Sequence, residues 1–514
     1  MVKVLDEQDI ESKAREYEER LRAEYGLETK KREHFLKPVE RRFVKRDREN
    51  TTILWGGLTL AHEELVTEAM RGLGYKVEPI PCPDNESLRI GKEVGNRGQC
   101  NPTYYTVGNL VKYLMQLRDA GEENIEDRYV FVTAGACGPC RFGMYEAEYR
   151  KALRDAGFHE FRVLLFEQSG GFSQSEGEEE GLELNASFGL AFLKGLMIGD
   201  LVNDLGYKIR PYEVIPGETN RVLAESKQLL GVALREGNSL YRALKRVKKK
   251  FETIEVDYSK VKPKVKITGE FWAQTTEGDG NYHMFSWLES EGAEVLVEPI
   301  GTWIEYLIHI AKQGADEAEL KGQGSRKKRL MLKMVGITFR RWFNLYRRAL
   351  GYRTDELPDQ KKLAEYAEAY YDTHLRGGEG HLEIAKNVMA TRDKHAHMVI
   401  SLKPFGCMPS TMSDGVQSKV VADYQDAIFL PVETSGDGEV NVRSRVQMKL
   451  YEAKMKARKE METLLEDKGI TIEQVQEYTA KHKKWRNAMR KPKENHKVGM
   501  STATHFVAEI AGKI

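Results

Sequence analysis

Cysteine is scarce in this chain, with five residues in 514. So few thiols exclude a disulfide framework and leave ligands, reactive thiols or core residues as the roles to expect. Long apolar runs are missing too. No stretch reaches the ~18 residues that a membrane span needs. The nearest, GLAFLKGLMIGDLV, is short and carries Lys194 and Asp200. An excess of one charge is also lacking: 80 Lys and Arg face 79 Asp and Glu, for a net charge of +1. That balance argues against a dedicated nucleic-acid binder, which carries a basic excess. The first residues, MVKVLDEQDIESKAREYEER, are charged from the start, so no secretory leader is expected. The glycine loop TTEGDGN (275–281) lacks the spacing of a phosphate cradle, and no nucleotide site is expected in the chain. These absences predict a soluble, cytoplasmic protein of roughly three domain-sized units.

What is present is an alternation of strand-like and helix-like segments. Residues 1–50 are rich in Glu, Arg and Lys and read as an exposed helical arm. TTILWGG (51–57), KVEPIP (76–81), RYVFVTA (128–134) and FRVLLFE (161–167) then read as strands. Between them, Val107, Leu110, Val111, Leu114 and Leu117 share one helical face. The grammar restarts near 264 with KVKITGEFW, AEVLVEP, HAHMVISL and DAIFLPVE as strands. This alternation predicts an α/β protein of two parallel-sheet lobes, at 51–260 and 261–440. The second lobe carries a charged helical insertion at about 303–394, and a helical extension follows at 441–514. The basic stretch GSRKKRLMLKMVGITFRRWFNLYRRAL in the insertion reads as a solvated helix face.

Four cysteines fall just beyond predicted strands. Cys100 precedes a helix in QCNPTYYTVGNL, Cys137 and Cys140 open the next in ACGPCRFGMYE, and Cys407 lies in SLKPFGCMPST. Open α/β sheets gather ligands at this rim. Helix N-termini favour thiolate, the form that binds metal. Gly135, Gly138 and Gly406 permit close backbone approach, Pro102, Pro139 and Pro409 stiffen the loops, and Arg141 is placed to offset thiolate charge. On spacing alone a metal site, a thiol redox pair and turn packing all remain open, with zinc and iron–sulfur equally served. Cys82, in PIPCPDNES, is the weakest ligand candidate. His62 and the acidic loop SGGFSQSEGEEEG (169–181) read first as local packing and exposed loop, whereas Glu433 and Asp437, after a strand, read equally as acid–base groups or as cap and turn residues.

The segments ACGPCRFGMYE, GQCNPTYYTVGNLVKYL, KPFGCMPS and GGLTLAHEELV together resemble the activase-associated 2-hydroxyacyl-CoA dehydratase-like iron–sulfur protein family. RPYEVIPGETNR and, more loosely, ETSGDGEVNVRSRV extend the similarity to residues 51–446. The resemblance implies flavodoxin-like (Rossmann-like) lobes with an iron–sulfur cluster, of the [4Fe–4S] type, held between them. It implies Cys100, Cys137, Cys140 and Cys407 as ligands. It also implies an ATP-hydrolysing activase, with a cluster of its own, as the electron-donating partner, in a homo- or hetero-oligomer. The activity implied is reduction or reductive dehydration of a small substrate, an acyl-CoA among the candidates. Three thiolates suit substrate chemistry at an open iron, whereas four suit electron relay. A fused double cluster calls for more cysteines than are present.

Overall fold

A computed structural model of the chain describes residues 7–26, 41, 43–135, 138, 140–167, 171–172, 181–183, 185–322, 324–375 and 377–514. The first 41 residues form a unit of their own. Its helix, Glu7–Glu24, is a charged segment in which Arg22 pairs with Glu18 one turn back (2.9 Å).

The first lobe of the main body is built on a sheet of β1 (Thr52–Trp55), β2 (Val77–Pro79), β3 (Tyr129–Gly135), β4 (Arg162–Glu167) and β5 (Gly171–Phe172). The spatial order is β2-β1-β3-β4-β5. The first four strands are parallel, and β5 adds an antiparallel edge of two residues. The second lobe uses β6 (Lys264–Gly269), β7 (Glu294–Leu296), β8 (Met398–Pro404) and β9 (Ile428–Thr434), ordered β7-β6-β8-β9 and wholly parallel. Each lobe thus repeats one flavodoxin-like winding, in which the second strand lies outside the first and the chain then crosses to the third. The strands are the apolar, β-branched runs that helices cover on both faces, and all six residues of β6 are buried.

Close packing of small residues sets the helices around the first sheet. A Cβ at Gly108 would lie 1.9 Å from Ser87 O, and one at Gly91 1.9 Å from Tyr104 O. Helices Asn85–Val94 and Asn101–Asp119 therefore touch backbone to backbone. Helix Ala186–Ile209 buries Leu196, Ile198, Leu201, Leu205 and Ile209 in the largest core. It is the one helix among the described residues long and apolar enough to cross a membrane, and its second half is core.

The segment 43–50, read as part of the exposed arm, packs on the first lobe instead. Phe43 is buried, and the guanidinium of Arg162, 1% exposed, reaches Asp47 (2.9 Å). Between β7 and β8 run helices Ile300–Leu320, Arg326–Ala349, Gln360–Ala367 and Leu382–Arg392. Helix Arg326–Ala349 buries Phe339, Phe343 and Tyr346 in the core of the first lobe's helical layer, while Leu330, Met331 and Met334 are exposed among its basic residues. The C-terminal helix Glu439–Lys468 spans both cores, with Val442, Val446 and Leu450 in the second-lobe core and Met461 and Leu464 in the first. Trp485 and Phe506 follow it into the first core.

Candidate metal centre

Cys100 and Cys407 are helix caps of one kind in the two lobes, Cys100 after the second strand of its sheet and Cys407 after the third. Each is the N-cap of a helix, Asn101–Asp119 and Met408–Asp423, with proline in the first turn. Each also has a hydroxyl three residues on. Thr103 Oγ1 is 3.2 Å from the Cys100 sulfur, and Ser410 hydrogen-bonds the Cys407 sulfur through its side chain and backbone. The two turns meet directly. Asn101 N–H donates to Phe405 O (3.0 Å), and a Cβ on Gly406 would sit 3.2 Å from Gln99 O and 3.3 Å from Cys100 Cα. Gly406 has φ of +77°, which an L side chain rarely adopts.

Cys140 joins them from the loop after β3. It precedes the 3-10 turn Arg141–Met144, which runs into helix Tyr145–Asp155. The Tyr145 hydroxyl lies 3.1 Å from the Cys100 sulfur, so this loop and the Cys100 cap share one buried wall. Arg141 is half-buried at the start of the turn. Cys137 lies outside the described residues.

The second lobe contributes carboxyl groups that the sequence did not reveal. Glu270 follows β6 directly. It does so because Gly269, at φ +121°, turns the chain where a Cβ would collide with Leu402 O at 2.0 Å. The loop Gly377–His381 brings in Glu379, whose Oε1 accepts from Phe271 N (2.5 Å), and Gly378 of this loop packs on Pro409 beside Cys407. Glu383 accepts from Ser410 Oγ (2.8 Å) and from Ser413 Oγ.

Electrostatically, burial pushes the centre's thiols and carboxyls towards their protonated forms. Burial pushes the Cys140 thiol up to about 12, with Glu379, Glu270 and Cys100 adding to the shift. Burial pushes Cys407 higher still, again with Glu270 and Glu379 contributing. Burial likewise raises Glu270 to about 7, and raises Glu379 far above the usual carboxyl range with help from Glu270 and Glu383. The argument that helix N-termini favour thiolate is therefore reversed for Cys140 and Cys407. Desolvation outweighs the hydrogen bonds that Phe142 and Ser410 make to the two sulfurs. Lys403, paired with Asp414, is pushed down by burial although Glu383, Glu433 and Cys407 pull it up.

Other candidates fall elsewhere. Cys82 packs on the TTEGDGN loop, with its sulfur 3.8 Å from Thr276 Oγ1 and 2.8 Å from where a Gly278 Cβ would be. Burial raises its thiol, and its charged neighbours are Glu63 and Glu277 rather than the carboxyls around Cys407. His62 is fully buried between Thr59 Oγ1 (2.7 Å) and Asp200 Oδ1 (3.2 Å), while Asp200 caps the helix at Ile300 and Gly301 (2.7 and 2.8 Å). His62 thus packs locally within the first lobe, and Asp200 makes the link to the second. Asp437 accepts from Ser435 Oγ (2.7 Å) in a turn, and Glu433 is exposed. Most of the acidic loop 169–181 lies outside the described residues.

Among the described residues no three His, Cys, Asp or Glu side chains close around a single ion. An iron–sulfur cluster makes a different demand. It is larger than an ion and takes sulfur ligands from separated loops in a buried pocket. The donor set here, thiols from both lobes with hydroxyl and amide groups at the sulfurs, fits that demand, and Cys100, Cys140 and Cys407 with Cys137 are the residues that would hold the group. No protein-family model matches this chain, and no curated protein matches it.

Proposed function

We propose that the chain is a cytoplasmic iron–sulfur redox protein of the activase-associated dehydratase-like kind. In this reading it takes low-potential electrons from an ATP-hydrolysing activase and reduces, or reductively dehydrates, a small substrate such as an acyl-CoA. One observation carries the reading: the Cys100 and Cys407 turns, from different lobes, touch through Asn101 N–H and Phe405 O at 3.0 Å. Bound there, the cluster supplies one-electron transfer.

The chain's own residues do the rest. The thiols of Cys140 and Cys407 give up their protons as metal binds, which couples loading to pH. Helices Asn101–Asp119 and Met408–Asp423 then set their positive ends against the new thiolate charge. Glu379, kept protonated by burial, and Glu270, raised to about 7 and so able to gain or lose a proton near neutral pH, stand on the second-lobe side as proton stores. Anaerobic purification with iron and sulfide analysis is the test. Iron and sulfide together support the proposal, whereas zinc or no metal refutes it. An EPR signal that shifts on adding acyl-CoA separates a substrate-binding centre from a pure electron relay.

A further inference from the structure

Behind the cysteine centre lies a set of buried polar groups that lack strong partners among the described residues. His381 is fully buried, and among the described residues its ring nitrogens meet only the Thr373 backbone. Tyr306, also fully buried, has an unpartnered hydroxyl, and half-buried His309 has an unpartnered Nε2. The rings stand edge to face, with centroids 5.4 Å apart for Tyr306 and His381 and 6.2 Å for His309 and His381. At one end the set meets the centre. A Cβ on Gly380 would lie 2.2 Å from Tyr306 Oη, so the phenol presses on the backbone beside Glu379. At the other end His309 neighbours His374, which is 60% exposed and bonded to Glu317 (3.1 Å).

Each buried polar atom left unpaired costs about 1–3 kcal/mol, so apolar side chains here would have been more stable. The chemistry of the set says what it serves. Tyr306 and His309 lie about one turn apart on helix Ile300–Leu320 and both rings stand against His381, which joins them into one contiguous set, and none of the three is a carboxylate, an ammonium or a guanidinium that would mark an ion site. Imidazole, phenol and carboxylic acid each both donate and accept a proton. Burial, with His309 as neighbour, lowers His381 to about 4, which keeps its ring neutral and amphoteric at pH 7.

We propose that His374, His309, His381, Tyr306 and Glu379 form a proton relay from solvent to the cysteine centre. A proton accepted at one nitrogen of His381 is matched by one released from the other, so each transfer leaves the ring neutral but in its other tautomer, which ring rotation resets; the gaps are crossed by that motion or by a single water. The relay deepens the redox reading, since reductive chemistry consumes protons as well as electrons, but its test needs no metal.

The metal-free full-length protein is mixed into D2O, and the carbonyl stretch of the protonated Glu379 carboxyl, assigned with Glu379→Gln, is followed by rapid-mixing infrared spectroscopy. His381→Phe and Tyr306→Phe are each expected to slow conversion to the deuterated acid about tenfold or more. His309→Ala, nearer the surface, is expected to slow it and to recover when imidazole is added. The absence of a protonated Glu379 band, a wild-type rate in folded His381→Phe, or a His309→Ala defect that imidazole leaves unchanged overturns the relay. None of these results depends on whether iron is bound, so the relay and the cluster fail separately.

Discussion

Replacing Gly406 by alanine tests the contact that joins the two lobes at the cysteines. At φ of +77° an L residue pays about 1–2 kcal/mol for left-handed backbone. The new methyl would also stand 3.2 Å from Gln99 O and 3.3 Å from Cys100 Cα, both backbone atoms that cannot rotate away. The turns must therefore part by a few tenths of an ångström, which strains the bond from Asn101 N–H to Phe405 O. Gly217 provides the control, because its φ is +86° and a Cβ there meets nothing within 4 Å. Gly217→Ala carries the backbone cost alone. If local opening at Asn101 is eased by about 2 kcal/mol, its amide exchanges about 30-fold faster, at 1.4 kcal/mol per tenfold. Hydrogen exchange read by mass spectrometry on peptides covering residues 99–104 measures this directly. Iron content in anaerobically prepared Gly406→Ala should fall in parallel. Wild-type protection at Asn101 in Gly406→Ala, alongside a local loss around Gly217 in the control, would refute the close approach of the turns.

Three further outcomes follow from named contacts. Cys100→Ser and Cys407→Ser should each lose iron and sulfide on anaerobic purification while Cys82→Ser keeps both; a cluster that survives the first two excludes this set of ligands. Asp200→Ala removes the cap from helix Ile300–Leu320 and strands the Ile300 and Gly301 amides, so stability should fall by about 2–4 kcal/mol, with faster exchange confined first to residues 300–303. The third concerns acid lability. Burial alone would raise Glu298, but Lys266 and Lys386 outweigh it and lower the carboxyl to about 2. A depressed acid stabilises the fold above its unfolded pKa, and that stability drains away as pH falls from about 4.5 towards 2. Urea titrations across this window should lose roughly 3 kcal/mol, and Glu298→Gln should flatten the slope while lowering stability at neutral pH. An unchanged slope in the variant would show that another group carries the transition.

The sheets were legible because parallel strands buried on both faces concentrate β-branched and apolar residues, as in KVKIT and MVISL. The positions of Cys100 and Cys407 were legible for a related reason: a cysteine just past a strand and before a helix lies on the ligand rim whatever the details of packing. Glu379 was not legible. It sits in GGEGH, inside a stretch patterned as charged helices, and its importance comes from Gly378 packing on Pro409. The repeated Cys-x-Pro-Thr/Ser of CNPT and CMPS was a usable signal, since it marks two helix caps of one kind in two lobes. The state of the thiols could not be read from the chain, because a helix terminus is a local feature and burial is not. The same holds for Trp485 and Phe506, core residues within a Lys-rich tail whose apolar positions are too sparse to show a periodic face.

The shared winding of the lobes makes their differences informative. Cys140 and Cys407 both follow the third strand of their sheet, β3 and β8, beside the point where strand order reverses. Their equivalence fits a centre built across a pseudo-symmetric pair. The long helix that feeds the third strand breaks the symmetry. In the first lobe that helix, Asn101–Asp119, is capped by Cys100, whereas in the second it is Leu382–Arg392, capped by His381 with Glu379 just before it. Likewise the turn after the first strand holds Gly56 and Gly57 in one lobe and Glu270 in the other. At these two positions the first lobe carries sulfur or bare backbone and the second carries acid and imidazole, while both lobes keep a cysteine after the third strand. Under the proposed redox reading, that difference gathers the proton-exchanging groups on the second-lobe side of the centre.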